Sequence, residues 1–177
     1  MITQADFDNL ISLKFFDKLD DSLSFHSGTN ISKWKQENNV NSLLVDLFCI
    51  CIYYAHYQDG KILINNYEIT TIYSKEDFIL IHKNFDKIPL PKLKADILWM
   101  IWTYKLFGHE SHTVIDEAIA EYFMSLDKIM NLYEKNSENY YHVDAAEILK
   151  HIVIICLYTN KQNSINKAMD IAEKWLN

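Results

Sequence analysis

The chain has 177 residues, 49% of them hydrophobic, 14% aromatic and 23% charged, with a net charge of −7. That length suits one domain with a sizeable core, and a single helical domain over 1–177 is the expectation. Three Gly, two Pro and no Arg among 23 Ile and 11 Tyr exclude collagen-like, linker-like, turn-dense all-β and disordered chains, and they remove every bidentate guanidinium clamp.

Thr3, with Asp6 three residues on, predicts a capped first helix on which Phe7, Leu10, Ile11, Phe15 and Leu19 recur at helical spacing. Ser32 is a good cap for a second, longer helix. Val40, Leu43, Leu44, Leu47, Phe48, Cys51, Ile52 and Ala55 form its main apolar series, and Ile50, Tyr53, Tyr54 and Tyr57 make its other side apolar too. Asp59-Gly60 stops it. Residues 61–73 are the one ambiguous piece: β-branched side chains around Asn65-Asn66 could form a small β-hairpin, which is marginal unless it packs on something. Ser74 opens a short helix to about Asp86. Pro89 bars its continuation, and Pro91 suits the first turn of a helix running to about 107. Further helices follow at about 111–133, 139–159 and 164–176. All five Gly and Pro residues fall in or beside joints, so the helices between them are expected to run unbroken. The periodicity is still running at Asn177, so either the last helix frays or the natural chain continues. The fold class is therefore all-α, with about seven helices in antiparallel pairs as an array or bundle.

Ala118, Tyr122 and Ser125, with Trp102 upstream, fit the small–aromatic–small spacing of a tetratricopeptide helix pair. Ala168, Ala172 and Trp175 fit the next pair poorly, at a spacing far beyond the roughly 34-residue repeat. The segment Leu90-Pro91-Lys92-Leu93-Lys94-Ala95-Asp96-Ile97-Leu98-Trp99, followed by Ala118 and Tyr122, resembles the helical, tetratricopeptide-like N-terminal region of a group of bacterial multidomain proteins. The likeness spans about residues 74–130. Those proteins often carry a C-terminal domain with an Arg-Asn-x-x-x-His-Gly motif, suspected of ribonuclease or phage-defence roles. This chain has no Arg, so the resemblance implies a scaffold or sensor portion and no catalytic set.

His109-Glu110-Ser111-His112 draws attention as a metal candidate. Its two His lie three apart in a Gly-led loop, however, where a helical zinc motif needs them four apart on one face. The plainer reading is a polar interhelix loop. Asp144, Glu147 and His151, at i, i+3 and i+7, share one helical stripe, and a carboxylate there could raise the His pKa or share a metal with it. The plainer reading is the solvated face of a helix that buries Ala145, Leu149, Ile152 and Cys156. Neither set is assigned a metal. No G-x-S-x-G elbow or phosphate-binding Gly loop occurs. Cys49, Cys51 and Cys156 sit in apolar runs and read as buried free thiols. Asp46 and Asp96, each inside an apolar helix, are expected to tie that helix to a neighbour. Tyr140 and Tyr141, beside a loop, are candidate interaction anchors.

An acidic chain repels phosphate backbones, so nucleic acid is not expected as a partner; a basic or neutral protein is. The first eight residues lack a basic n-region and an apolar h-region. The longest apolar run, Leu43 to Tyr57, carries Asp46 and His56 and falls short of a membrane span. Cytoplasmic residence is the expectation. The leading function is a non-enzymatic protein-interaction or scaffold module of a bacterial protein, with no cofactor, and the family resemblance implies a defence-type protein. The alternatives are a small acidic immunity protein that neutralises a basic toxin, and a metal-dependent hydrolase using His109, His112 or His151.

Overall fold

A computed structural model describes residues 1–20, 28–49, 56–58, 61–64, 67–68, 72–103, 112–136 and 140–176. Its contacts gather into two compact units, Met1–Glu110 and Ser111–Asn177, each described by itself.

Helix dominates the described residues, in keeping with the all-α class, but nine α-helices occur there instead of about seven. The surplus comes from two breaks that no Gly or Pro marks. The expected first helix is divided into α1 (Gln4–Ser12) and α2 (Phe15–Asp20) at Lys14, whose φ is 53°. The expected second helix is divided into α3 (Gly28–Asn38) and α4 (Ser42–Cys49) at Asn39, whose φ is 47°. A left-handed residue closes a helix by turning its amides back onto the last carbonyls, and Gly is merely the cheapest residue for it. Here the Leu13 amide donates to the Asn9 carbonyl and the Lys14 amide to Ile11. The reason for breaking lies in packing. The two breaks let Phe7 of α1 and Phe15 and Phe16 of α2 converge on Phe48 of α4, with Trp34 of α3 against Phe15. Phe48 sits 6.2 Å from Phe7, 6.2 Å from Phe15 and 5.4 Å from Phe16, and Trp34 lies 5.2 Å from Phe15. One straight helix could not present both Phe7 and Phe15-Phe16 to a single ring with those contacts. Helix α3 also starts before the expected cap at Ser32, which brings Ile31 into the core.

Residues 50–55, with Cys51, Tyr53 and Tyr54, lie outside the described part. His56 and Tyr57, expected as helix, belong instead to a short strand, β1 (His56–Gln58). It pairs antiparallel with β2 (Lys61–Ile64), which pairs with β3 (Tyr67–Glu68) in the order β1-β2-β3; Tyr57 faces Ile62, and Leu63 faces Glu68.

Two capping boxes match the expected helix starts. Thr3 and Asp6 open α1, and Ser74 and Asp77 open α5 (Lys75–His82). A 3-10 turn, Phe85–Lys87, leads to α6 (Pro91–Thr103), which begins on its proline and buries Leu93, Ile97, Leu98 and Met100. The N-terminal segment is tied to α5 across 75 residues: the Ile2 amide donates to Asp77 Oδ1 at 2.7 Å. Gln4 and buried Asn84 exchange two amide hydrogen bonds at 3.0 Å. Asp46, half-exposed, reaches Lys35 of α3 at 2.6 Å, a tie between two helices where one was expected. Buried Asp96 takes Lys92 of its own helix at 2.7 Å.

The second unit is α7 (His112–Asn136), α8 (Tyr140–Thr159) and α9 (Gln162–Leu176). Asn160, with φ 55°, turns the chain between α8 and α9, and the Lys161 amide closes back on the Cys156 carbonyl at 2.9 Å. Ala118, Tyr122 and Ser125 are all buried on α7.

Candidate functional site

The second unit holds most of the residues singled out from the sequence, and α8 is its middle element, packed against both α7 and α9. Its buried stripe is Ala145, Ile148, Ile152, Ile155 and Cys156, three and four residues apart, with Leu149 only half-buried at the margin. Tyr122 of α7, fully buried, meets the His151 ring at 5.7 Å between centroids. Six residues earlier on α7, Asp116 reaches Lys161, just past the end of α8, at 2.6 Å. The two contacts together show that α7 and α8 run antiparallel. Helix α9 buries Ile165 and Ala168, and its Lys167 ammonium lies 4.1 Å from the centre of the Phe123 ring of α7.

The outer face of α8 changes character along its length. Glu147 and Lys150 are exposed and paired at 2.9 Å, an i, i+3 contact of small stabilising value. From Ile152 to Thr159 no charged side chain occurs. Val153 and Ile154 are half-exposed, while Leu157 is 63% and Tyr158 72% exposed. Two helical turns therefore show water four apolar or aromatic side chains that carry no charge.

The structure distributes the sequence candidates unevenly. His109 lies outside the described residues. His112 is the first residue of α7, Tyr140 and Tyr141 open α8, and Asp144 follows in its first turns, but the side chains of all four lie outside the described part. Of the stripe Asp144, Glu147 and His151, Glu147 is solvated and engaged by Lys150, whereas His151 is half-buried on Tyr122. A uniformly solvated stripe thus does not describe α8: the His belongs to the seam with α7. Among the described residues no group of three or more His, Cys, Asp or Glu is placed to hold a metal ion, and no helix is long and apolar enough to cross a membrane.

The described thiols are poor nucleophiles. Burial, reinforced by Asp46 and opposed by Lys35, pushes Cys49 up to about 12. Burial also raises Cys156, against weaker pulls from Ser164 and Lys161. Both are free and buried; Cys51 lies outside the described residues.

The sequence reading missed Leu157 and Tyr158. Their signal is the seven-residue nonpolar run Ile152 to Tyr158, which covers every side of a helix when only part of its circumference meets α7 and α9. No protein-family model matches the chain, and neither a curated protein nor a solved structure matches it.

Proposed function

We infer that this chain is a non-enzymatic protein–protein interaction module of a cytoplasmic bacterial protein, docking its partner on the outer face of α8. One observation supports the reading: Leu157 and Tyr158, more than half exposed, lie on two turns of helix without a charge. Scattered apolar residues on a surface need no explanation, but a clustered, uncharged pair backed by Val153 and Ile154 is the composition of an interface centre. Covering a side chain of Leu or Tyr size is worth about 1.5–3 kcal/mol at full burial, so two such anchors make a hot spot. The defence-related role rests on the resemblance of residues 74–130 to the helical region of bacterial multidomain proteins.

A photo-crosslinking side chain at position 158 of the full chain, expressed in a bacterial host, tests the reading. A discrete adduct that disappears with Leu157→Ser, while the circular dichroism spectrum is unchanged, is the expected result. Adducts indifferent to position 157 refute it. The net charge of −7 favours a second reading, an immunity protein for a basic toxin. That reading requires the crosslinked partner to be a basic toxin.

A further inference from the structure

Resting on the reading of the α8 outer face as a docking surface, we propose that its occupant is a basic amphipathic helix, with apolar anchors over Ile154, Leu157 and Tyr158 and a cation at each end. Carboxylates bracket the apolar turns along the axis of α8. Glu147 precedes Leu157 by ten residues, about 15 Å at 1.5 Å per residue. At the other end, the Asp116–Lys161 ion pair stands beside the last turn of α8, with exposed Glu117 next to it on α7.

The lysines at both ends are already committed, Lys150 to Glu147 and Lys161 to Asp116. A carboxylate has about four acceptor sites, so each bracketing acid can take an incoming Lys or Arg while keeping its present partner. The wider field agrees: residues 111–177 contain ten acidic side chains against six Lys, a difference of −4. A second copy of the chain would bring a net charge of −7 to the contact, so like charges would meet where opposite ones are needed. A helix of about three turns covers the two charge-free turns of α8 and reaches the carboxylates beyond them, and a helix packed on a helix is an ordinary way to cover such a face.

Three fluorescent synthetic helices test the proposal on the full chain. They share one apolar face, with Leu at i, i+3 and i+7, and differ only in bearing Lys, Gln or Glu at both ends. The Lys-ended helix is expected to bind most tightly and to weaken as ionic strength rises. Its affinity should fall about ten-fold, equivalent to 1.4 kcal/mol, with Leu157→Ser and again with Tyr158→Ser. Glu147→Gln should weaken it several-fold. Equal binding of all three helices, still dependent on Leu157, overturns the basic occupant and leaves the docking face standing. Binding of none, or binding indifferent to positions 157 and 158, overturns both. A dimer in sedimentation that is lost with Leu157→Ser overturns the proposal in favour of a second copy. All three substituted side chains are exposed, and an unchanged thermal melt verifies the fold.

Discussion

Asp77→Ala tests whether one buried carboxylate holds the N-terminal segment to α5. Asp77 is 4% exposed and accepts three hydrogen bonds: from the Ile2 amide at 2.7 Å, the Ser74 amide at 2.8 Å and the Ser74 hydroxyl at 2.9 Å. Ser74 is exposed, so water replaces its two bonds, and their loss amounts to a capping box, about 1 kcal/mol. The Ile2 amide belongs to a residue that is itself buried, and an orphaned donor there costs about 1–3 kcal/mol. The sum is about 3 kcal/mol, or a melting temperature lower by roughly 12 °C for a unit of this size. Urea unfolding followed by circular dichroism measures it, with Ser74→Ala as the control that removes the cap alone. A cost for Asp77→Ala no greater than for Ser74→Ala would falsify the long-range tie. The pH dependence gives a second reading. Burial raises the Asp77 pKa, but the bonds from Ile2 and Ser74 and the positive chain terminus outweigh it and hold it below 3.8. A carboxyl depressed in the folded state stabilises above its unfolded pKa and loses that contribution as pH falls through the folded one. The gap between the parent and Asp77→Asn is therefore full at neutral pH and closes in acid below 3.8.

Two other expectations concern separate features. Lys14→Gly should raise stability by about 1 kcal/mol, because an exposed non-Gly residue at φ 53° bears a left-handed penalty that Gly avoids; a loss in chemical denaturation would show that the Lys side chain contributes more than the backbone strain. Cys49, with its thiol pushed up to about 12 and its side chain buried, should resist iodoacetamide at neutral pH until denaturant is added, as read by peptide mass mapping. Rapid native labelling would contradict the burial.

The candidate site was only partly legible. The spacing of Asp144, Glu147 and His151 expects one helical stripe, and all three residues fall within α8, because 3.6-residue geometry is local. Whether that stripe meets water is not local. His151 lies at the seam with α7, where Tyr122 covers one side of it, while Glu147 one turn earlier stands clear. Leu157 and Tyr158 had the opposite fate: two residues that hydropathy assigns to a core are exposed, because α7 and α9 leave that arc of α8 uncovered.

Local chemistry by itself determined where three of the helices, α1, α5 and α6, begin. Thr3-x-x-Asp6, Ser74-x-x-Asp77 and Pro91 each satisfy or dispense with amides of the first helical turn through residues within that turn. It also determined the helical class, through apolar periodicity and the shortage of turn residues. The tertiary structure decided where helices stop. Among the described residues, left-handed positions fall to Lys14, Asn39 and Asn160, none of them Gly, and nothing in a Lys announces such a role. At Lys14 and Asn39 a break accompanies the assembly of Phe7, Phe15 and Phe16 around Phe48, with Trp34 against Phe15. A backbone penalty of about 1–2 kcal/mol is smaller than the burial free energy of one large aromatic ring, so packing overrules the local preference.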